Sequence, residues 1–481
     1  MVDVYDQKVE RLIESLGDGQ NTFLSGSGGV GKTHAIRIIA KTLIQKGLVV
    51  ACCATTGIAA IALSNPTANI AGCTLHSWAG IGLGDMPAEK LVAKINGDAR
   101  AKKRWLSTHI LIIDEVSMLG ATLIDKIDYI GRSIRRRRDT PFGGITVLFS
   151  GDFLQLPPVN DKWVFKSAAW KDAKFECVIL DEPKRYPDVE WFNLLMRLRK
   201  GVVTPADTKF LKGRVIAYEK MLGAKPKIKK GENEEADDKT TVVKPTVLHS
   251  RRVDVEAENN RELRLLPGEL KTYIAVDTFE AFNSHARKDH YTKPLEDTIP
   301  TAISLKIGTQ VMLKANLDVD NGLANGSRGV VIEMFDEGVK VKWVNGEKTL
   351  VPLYVWVQQD RDGIATRSQI PLILAWSLTI HKCQGSSLDY AICDIGASIF
   401  VEGQAYVALS RVRTSSGLFL VQFDPKAIRV DADALEIVEK MEERERRSRI
   451  VEEDAPEPII EYYLYYEADH PDSFGEISDD D

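Results

Sequence analysis

The sequence has no uninterrupted apolar stretch approaching the roughly 20 residues that a membrane-spanning helix needs, so no helical membrane span is expected. Its six cysteines, Cys52, Cys53, Cys73, Cys177, Cys383 and Cys393, include no C-x-x-C pair and no zinc-type spacing. Neither a disulfide framework nor a structural zinc site is therefore expected, and the thiols suit a reducing, cytoplasmic or nuclear compartment. Internal repeats are lacking, which argues against a solenoid. The opening MVDVYDQKVERLIESL reads as a helical stripe rather than a signal peptide, with apolar positions at Val9, Leu12, Ile13 and Leu16. Residues 451–481 lack Lys and Arg altogether while carrying twelve Asp and Glu.

That one-sided tail changes how the charge reads. The whole chain carries −6, so residues 1–450 carry +6. A basic body suits a polyanionic partner, although ordinary solubility charge gives the same total. With 44% hydrophobic and 27% charged residues in 481, the composition is that of a soluble globular chain of two to four domains.

What is present is more specific. Gly26-Ser27-Gly28-Gly29-Val30-Gly31-Lys32-Thr33 fits G-x-x-x-x-G-K-[ST] at every fixed position and follows the apolar pair Phe23-Leu24. The glycines let successive backbone N–H groups curl around phosphates, and the following helix aims its positive end at them. Lys32 adds a point charge at the β- and γ-phosphates, and the Thr33 hydroxyl suits Mg²⁺. The spacing predicts nucleoside triphosphate binding, with ATP and Mg²⁺ as cofactors.

Downstream, His109-Ile-Leu-Ile-Ile-Asp114-Glu115 reads as a strand buried on both faces and ending in two carboxylates. Asp114 would hold the Mg²⁺ through water, and Glu115 would act as general base on the attacking water. A DE pair alone is weak; paired with a phosphate loop upstream it is strong.

Strands at Leu48 to Thr55, His109 to Asp114, Ile145 to Gly151 and Cys177 to Leu180 alternate with helical stretches, which predicts an α/β fold with an open parallel sheet. The polar segment Lys225 to Lys244 reads as a flexible insertion before the strand beginning Pro245. From Gly308 to Val357 the pattern turns to short β runs broken by Asn325-Gly326 and Asn345-Gly346, as in a small β-barrel or ribbon inserted in a larger domain. At Pro371 a buried-strand pattern like those of the first half resumes, followed by a candidate functional loop.

Further motifs follow in order: Thr56-GIAA, Gly72-CTLHSWAGI, Phe142-GG, Gly151-DFLQLPPV, Thr379-IHKCQGSSLD and Gln404-AYVALSRV. With the two nucleotide motifs they closely resemble the petite-integration-frequency helicases, in the B group of superfamily one, from about Asp6 to Leu420. The resemblance implies two RecA-like parallel-sheet domains and an ATP-dependent DNA helicase moving 5′-to-3′ on single strands. The expected division is a first RecA-like domain over 1–183, a second over 184–307 and 366–425, the β insertion over 308–365, and a C-terminal helix and acidic tail over 426–481. Within the first domain, residues 84–105 stand where the family has its strand-separating wedge.

The resemblance also implies roles. Gln7 resembles the adenine-reading glutamine, Gln155 the γ-phosphate sensor, and Arg185 and Arg411 two arginine fingers, the second supplied by the far domain. Gly385 joins the nucleotide site. Tyr186 stands where the family usually has Gln, which leaves one contact of Arg185 open. Single-stranded and forked DNA are the implied partners of a monomer. Thr56, Gly57, His76, Ser77 and Trp78 would grip DNA from the first domain, and Thr379, His381 and Lys382 from the second. Stacking of a base on Trp78 would be worth roughly 1–3 kcal/mol; read from composition alone, Trp78 is a core aromatic. The run Arg135 to Arg138 is first a solvated face. An RNA-directed helicase, or an ATP-switched clamp that does not unwind, are the competing functions. The tail joins its acids to Tyr462, Tyr463, Tyr465 and Tyr466. It reads as a solubilising segment, a single-strand mimic or a docking peptide for a basic protein partner.

Overall fold

The computed structural model describes residues 4–65, 68, 70–223, 243–282, 288–315, 317–318, 323, 326–359 and 363–453. Nearly all of the polar segment from Lys225, Asn325 of the first predicted turn, and the tail from 454 onward lie outside these residues.

A parallel six-stranded sheet forms from β1 (Thr22–Gly26), β2 (Val50–Ala54), β3 (Gly72–Thr74), β4 (Ile110–Asp114), β5 (Thr146–Gly151) and β6 (Glu176–Leu180), in the order β3-β2-β4-β5-β1-β6. The predicted strands are there, each within two residues of its expected ends. Every residue of β4 is buried, because helices cover both faces and an all-apolar run has nowhere polar to point. On one face lie α1 (Val4–Gly17) and α2 (Lys32–Gln45), with the predicted stripe Val9, Leu12, Ile13 and Leu16 turned inward. On the other lies α7 (Ala121–Ile134), whose Ile124, Ile127 and Ile130 pack on Ile113 and Phe149. Between β2 and β4 the chain forms α3 (Gly57–Leu63), α4 (Leu75–Ala79), α5 (Ala88–Gly97) and α6 (Ala99–Ser107).

A second parallel sheet holds β7 (Thr246–His249), β8 (Ser377–Thr379), β9 (Ala391–Ile395) and β10 (Leu418–Phe423), in the order β8-β7-β9-β10. One apolar cluster runs from α1 and α2 through Trp191 and Leu195 to Val407, Leu409 and Leu418, joining the two sheets.

The strands inserted between β7 and β8 differ from a single small barrel over 308–365. Among the described residues they form a five-stranded antiparallel sheet, a three-stranded one (Val276–Ala281, Tyr354–Gln359, Gly363–Gln369) and a two-stranded one. Strands from outside 308–365 take part, and the apolar run Thr349 to Val357 is split between the first two sheets. Pro352, which lacks a backbone N–H, ends the Lys348–Pro352 strand, and Leu353 turns the chain away. The predicted turn at Asn345-Gly346 forms, with Gly346 at φ +90°.

The described residues end in a helix, Ala432–Glu453, that leaves the second sheet and returns to the first. Its Ala434, Val438 and Met441 enter the α7-side core, and Lys200 pairs with Glu442 at 2.6 Å.

Candidate functional site

The phosphate loop connects β1 to α2. Gly31, the residue before α2, has φ 92°, and Tyr5 of α1 donates to its carbonyl at 3.0 Å, which fixes the helix entrance. Val30 is fully buried and anchors the loop by packing. Gly29 has φ +90°, and a β-carbon there would lie 2.8 Å from the Arg185 Cβ, so only glycine lets the segment after β6 lie against the loop. That segment is held by Lys184 and Arg185, whose backbone N–H groups donate to the Gly29 carbonyl at 3.0 and 2.9 Å. Lys32 folds back, its Nζ donating to the Gly26 and Ser27 carbonyls at 2.8 and 3.0 Å. Burial lowers its proton affinity, opposed by the nearby Asp152, Glu115 and Asp114.

In the strand order only β5 separates β4 from β1, so the carboxylates after β4 face the loop. Thr33 Oγ1 donates to Asp114 Oδ2 at 3.2 Å. Glu115 sits at φ 58°, a left-handed conformation uncommon for this residue, with its N–H on Asp114 Oδ1 at 2.9 Å and its carbonyl accepting from Thr55 Oγ1 at 3.0 Å. Burial pushes both carboxyl pKa values up; Asp114 pushes Glu115 further, and Lys32 opposes. A hydroxyl and a buried carboxylate side by side fit a hard divalent cation. No group of three or more His, Cys, Asp or Glu residues suited to a metal occurs among the described residues, so a Mg²⁺ here would complete its shell with phosphate oxygens and water.

The second sheet completes the site. Gln384 Nε2 donates to Glu115 Oε2 at 3.0 Å, and the Tyr406 hydroxyl accepts the Gly28 N–H at 3.1 Å. Arg411 is 1% exposed. Its hydrogen bonds go to the Val407, Cys383 and Ser386 carbonyls at 2.8, 3.2 and 3.3 Å and to Ser410 Oγ at 2.7 Å, all neutral acceptors. Burial, and then Arg185, lowers its proton affinity. Arg185 donates to the Ser410 and Gly385 carbonyls at 3.3 and 3.4 Å. Tyr186, the departure from the family's glutamine, is buried and donates to the Ser410 carbonyl at 2.9 Å, so it joins the two domains beside both arginines. Lys32, Thr33, Glu115, Gln155, Arg185, Gly385 and Arg411 line one cavity of about 480 Å³.

Gln155 is held by Asp152, the acid of the Gly151-DFLQLPPV string, and Asp152 in turn by Arg199, which no motif included. Its Nε2 approaches Asp152 Oδ2 at 3.4 Å, and Asp152 is gripped by Arg199 through Nη2 at 2.7 Å and Nε at 3.0 Å. Burial would raise the Asp152 carboxyl, yet the guanidinium keeps it below its ordinary value. Gln7 is not brought in: it lies exposed on α1 and outside the cavity lining, so its placement does not support the adenine-reading role.

A second cavity, about 310 Å³, opens on the far side of Gln384. It brings together Thr56, Gly57, His381 and Lys382 from the expected grips of both domains. Lys314 and Trp356 from the inserted strands line it too, and neither was singled out from sequence. Burial, and secondarily Lys382, lowers the Lys314 pKa to about 8; burial also lowers His381 and Lys382. Thr379 is buried, and its Oγ1 accepts the Lys382 N–H at 3.2 Å, so it shapes the turn. On α4, Ser77 is exposed and His76 half-buried. Trp78 corrects the stacking expectation: it is 4% exposed, its ring centroid lies 4.6 Å from that of Trp105, and Arg104 Nε donates to its carbonyl at 2.7 Å. The helices α5 and α6, expected to include the wedge, supply that packing through Leu91, Ile95 and Trp105.

Two parallel sheets meeting at a phosphate loop, with an arginine of the second buried beside the loop, define a two-domain P-loop architecture of the kind nucleoside triphosphatases use. The family model "PIF1-like helicase" matches residues 2–209, and "DNA helicase Pif1, 2B domain" matches 298–334. ATP-dependent DNA helicase PIF1 of Xenopus laevis is 35% identical over 452 residues, covering 91% of this chain and 64% of its own length. The crystal structure of Pif1 helicase from Candida albicans is 31% identical with a TM-score of 0.74, covering 92% of this chain and 99% of that one. The Bacteroides Pif1 helicase in complex with ADP-AlF3 and single-stranded DNA is 27% identical with a TM-score of 0.61, covering 92% and 98%. The chain belongs to the PIF1-like helicase family. It spans less than two thirds of the length of the relatives named ATP-dependent DNA helicase PIF1 that it matches first.

Proposed function

We propose that this chain is an ATP-dependent DNA helicase that moves 5′-to-3′ along single-stranded DNA and opens forked duplex. The observation that carries the reading is Gln384: it bonds the general-base candidate Glu115 and lines the cavity where Thr56, Gly57, His381 and Lys382 meet. A strand in that cavity and the carboxylate that activates water then share one side chain. DNA can thereby gate hydrolysis.

In this mechanism ATP enters the 480 Å³ cavity, and Lys32 leaves the loop carbonyls for the β- and γ-phosphates. Thr33 and Asp114 would hold Mg²⁺, which supplies charge neutralisation at the phosphates. Glu115, its pKa raised by burial, is a stronger base than an exposed carboxylate and takes the proton of the attacking water. Gln155 contacts the γ-phosphate region, and Arg185 and Arg411 stabilise charge developing in the transition state. Closure of the second sheet on the first is needed to place Arg411, so each turnover moves the DNA grips relative to each other. All of these groups come from one chain, which suits a monomeric motor.

Forked substrates carrying only a 5′ or only a 3′ single-stranded arm test this. ATP-dependent unwinding of the 5′-armed fork alone is expected. Unwinding from the 3′ arm alone overturns the direction. DNA-stimulated hydrolysis with no unwinding of either fork leaves a clamp, and stimulation by RNA but not DNA makes the substrate RNA.

A further inference from the structure

The positive charge of the body is concentrated in two short segments. Residues 82–107 hold six Lys or Arg against three Asp or Glu, and residues 131–144 hold five against one. Together they carry +7, more than the +6 of all residues 1–450, so the rest of the body is close to neutral.

The fold places the two segments side by side. Arg135, at the end of α7, donates through Nη1 to the carbonyls of Trp105, Leu106 and Thr108 at 2.8, 3.1 and 3.0 Å, and through Nε to the Gly143 carbonyl at 2.8 Å. It is thus spent on joining the ends of α6 and α7. Arg132 is likewise spent on Asp128 and Asp172. Outside this scaffold, Lys103 of α6 and Arg136, Arg137 and Arg138 beyond α7 are all exposed. Asp139 is the acid in their midst.

The surface is continuous with the single-strand side. Arg104 of α6 donates to the carbonyl of the exposed Ser77 at 3.2 Å. Lys126 of α7 holds the Gly84 carbonyl at 2.7 Å, below Leu83, which is 77% exposed between two positive-φ glycines. From Lys126 the chain runs ten residues to Arg136, about 15 Å at helical rise, the length of roughly four base pairs.

We propose that this α6–α7 face is a docking surface for the phosphate backbone of the duplex arm ahead of the fork. It rests on the reading that the chain unwinds DNA. A duplex arm presents a phosphate every ~1.7 Å along its axis, and exposed guanidinium groups bind that array without reading sequence, as a motor requires.

The test compares the full chain with R136Q/R137Q/R138Q in salt titrations on bare single strand and on a 5′-armed duplex of about two helical turns. The expected result is a fall of about 2 to 3 in the log–log salt slope on the armed duplex, no change on bare single strand, and unaltered single-strand-stimulated ATPase. Shortening the duplex to a few base pairs should erase the difference. Equal slopes for both proteins on the long duplex overturn the proposal. So does an equal fall on bare single strand, which would make the face part of the single-strand path. A difference that disappears when residues 451–481 are removed also overturns it, making the face a seat for the acidic tail. If the unaltered protein shows no DNA-stimulated ATPase or unwinding, it is the helicase reading that fails.

Discussion

Gln384 and Glu115 come from opposite sheets and meet at 3.0 Å, Nε2 donating to Oε2. Gln384 also approaches Ser117 Oγ at 3.3 Å, so the amide is fixed against the segment that follows Asp114 and Glu115. Gly385 next to it has φ +79°, and a β-carbon there would lie 3.3 Å from Glu115 Oε1. The glutamine–glycine pair therefore lies between the 310 Å³ and 480 Å³ cavities, and the coupling proposed between DNA and hydrolysis can be tested there.

Replacing Gln384 with Ala should lower the DNA-stimulated rate of hydrolysis by roughly 10- to 100-fold, the equivalent of the 1.5–3 kcal/mol typical of a hydrogen bond to a charged group. Basal hydrolysis and ATP affinity should change much less. Steady-state ATPase with and without single strand checks this. A variant still fully stimulated by DNA would show that the coupling runs elsewhere.

Gly28 does not have a positive φ, so its lack of a side chain is a matter of space. A β-carbon there would lie 3.4 Å from Arg411 Nη2, 3.6 Å from Gln155 Nε2 and 3.6 Å from the Tyr406 hydroxyl. Gly28→Val should therefore hold Arg411 away from the γ-phosphate, cutting kcat by on the order of 10³-fold while a nucleotide analogue still binds. Parallel loss of nucleotide binding would instead mean that the loop itself had collapsed.

Trp78→Ala should cost about 3–5 kcal/mol of stability, as for other large aromatic deletions from a core, because it leaves Trp105 and Leu75 facing a void. Single-strand affinity of the folded protein should hold to within about twofold, well under the 1–3 kcal/mol expected of a lost base stack. Thermal melts and DNA titrations below the melting range separate the two; intact stability with weakened binding would restore the stacking role.

Trp78 also shows where the sequence stops being legible. The phosphate loop, Asp114 and Glu115 could be read directly, since phosphate and water chemistry demands particular residues at fixed spacing along one strand and turn. Arg411 stands out only through the AYVALSR string around it, because an isolated arginine carries no such constraint. Whether the Trp78 ring faces a groove or the core depends on Trp105, 27 positions away, and that residue arrives only once α5 and α6 fold back. Gln384, Lys314 and Trp356 share a cavity because three different parts of the chain converge on it. No local pattern records such a meeting. The split of the inserted strands at Pro352 was, by contrast, present in the residues, since a proline ends a ladder wherever it falls.

The Lys314 ammonium supplies a pH-dependent test of the strand cavity. With its pKa lowered to about 8 by burial and by Lys382, it is mostly charged at pH 7 and mostly neutral at pH 9. A phosphate contact is made by the charged form, so single-strand affinity should fall as pH rises through that window, with the log–log salt slope dropping by about one. His381, whose pKa burial lowers from its ordinary value, is already neutral there and adds nothing to the change. Lys382 is lowered in the same direction, so its contribution has to be separated. Lys314→Arg keeps a charge at both pH values and should flatten most of the profile while preserving affinity. Lys314→Met should flatten it too, but at the weaker level. If Lys382→Arg alone removes the pH dependence, then Lys382 is the residue that meets the phosphate and Lys314 only tunes it.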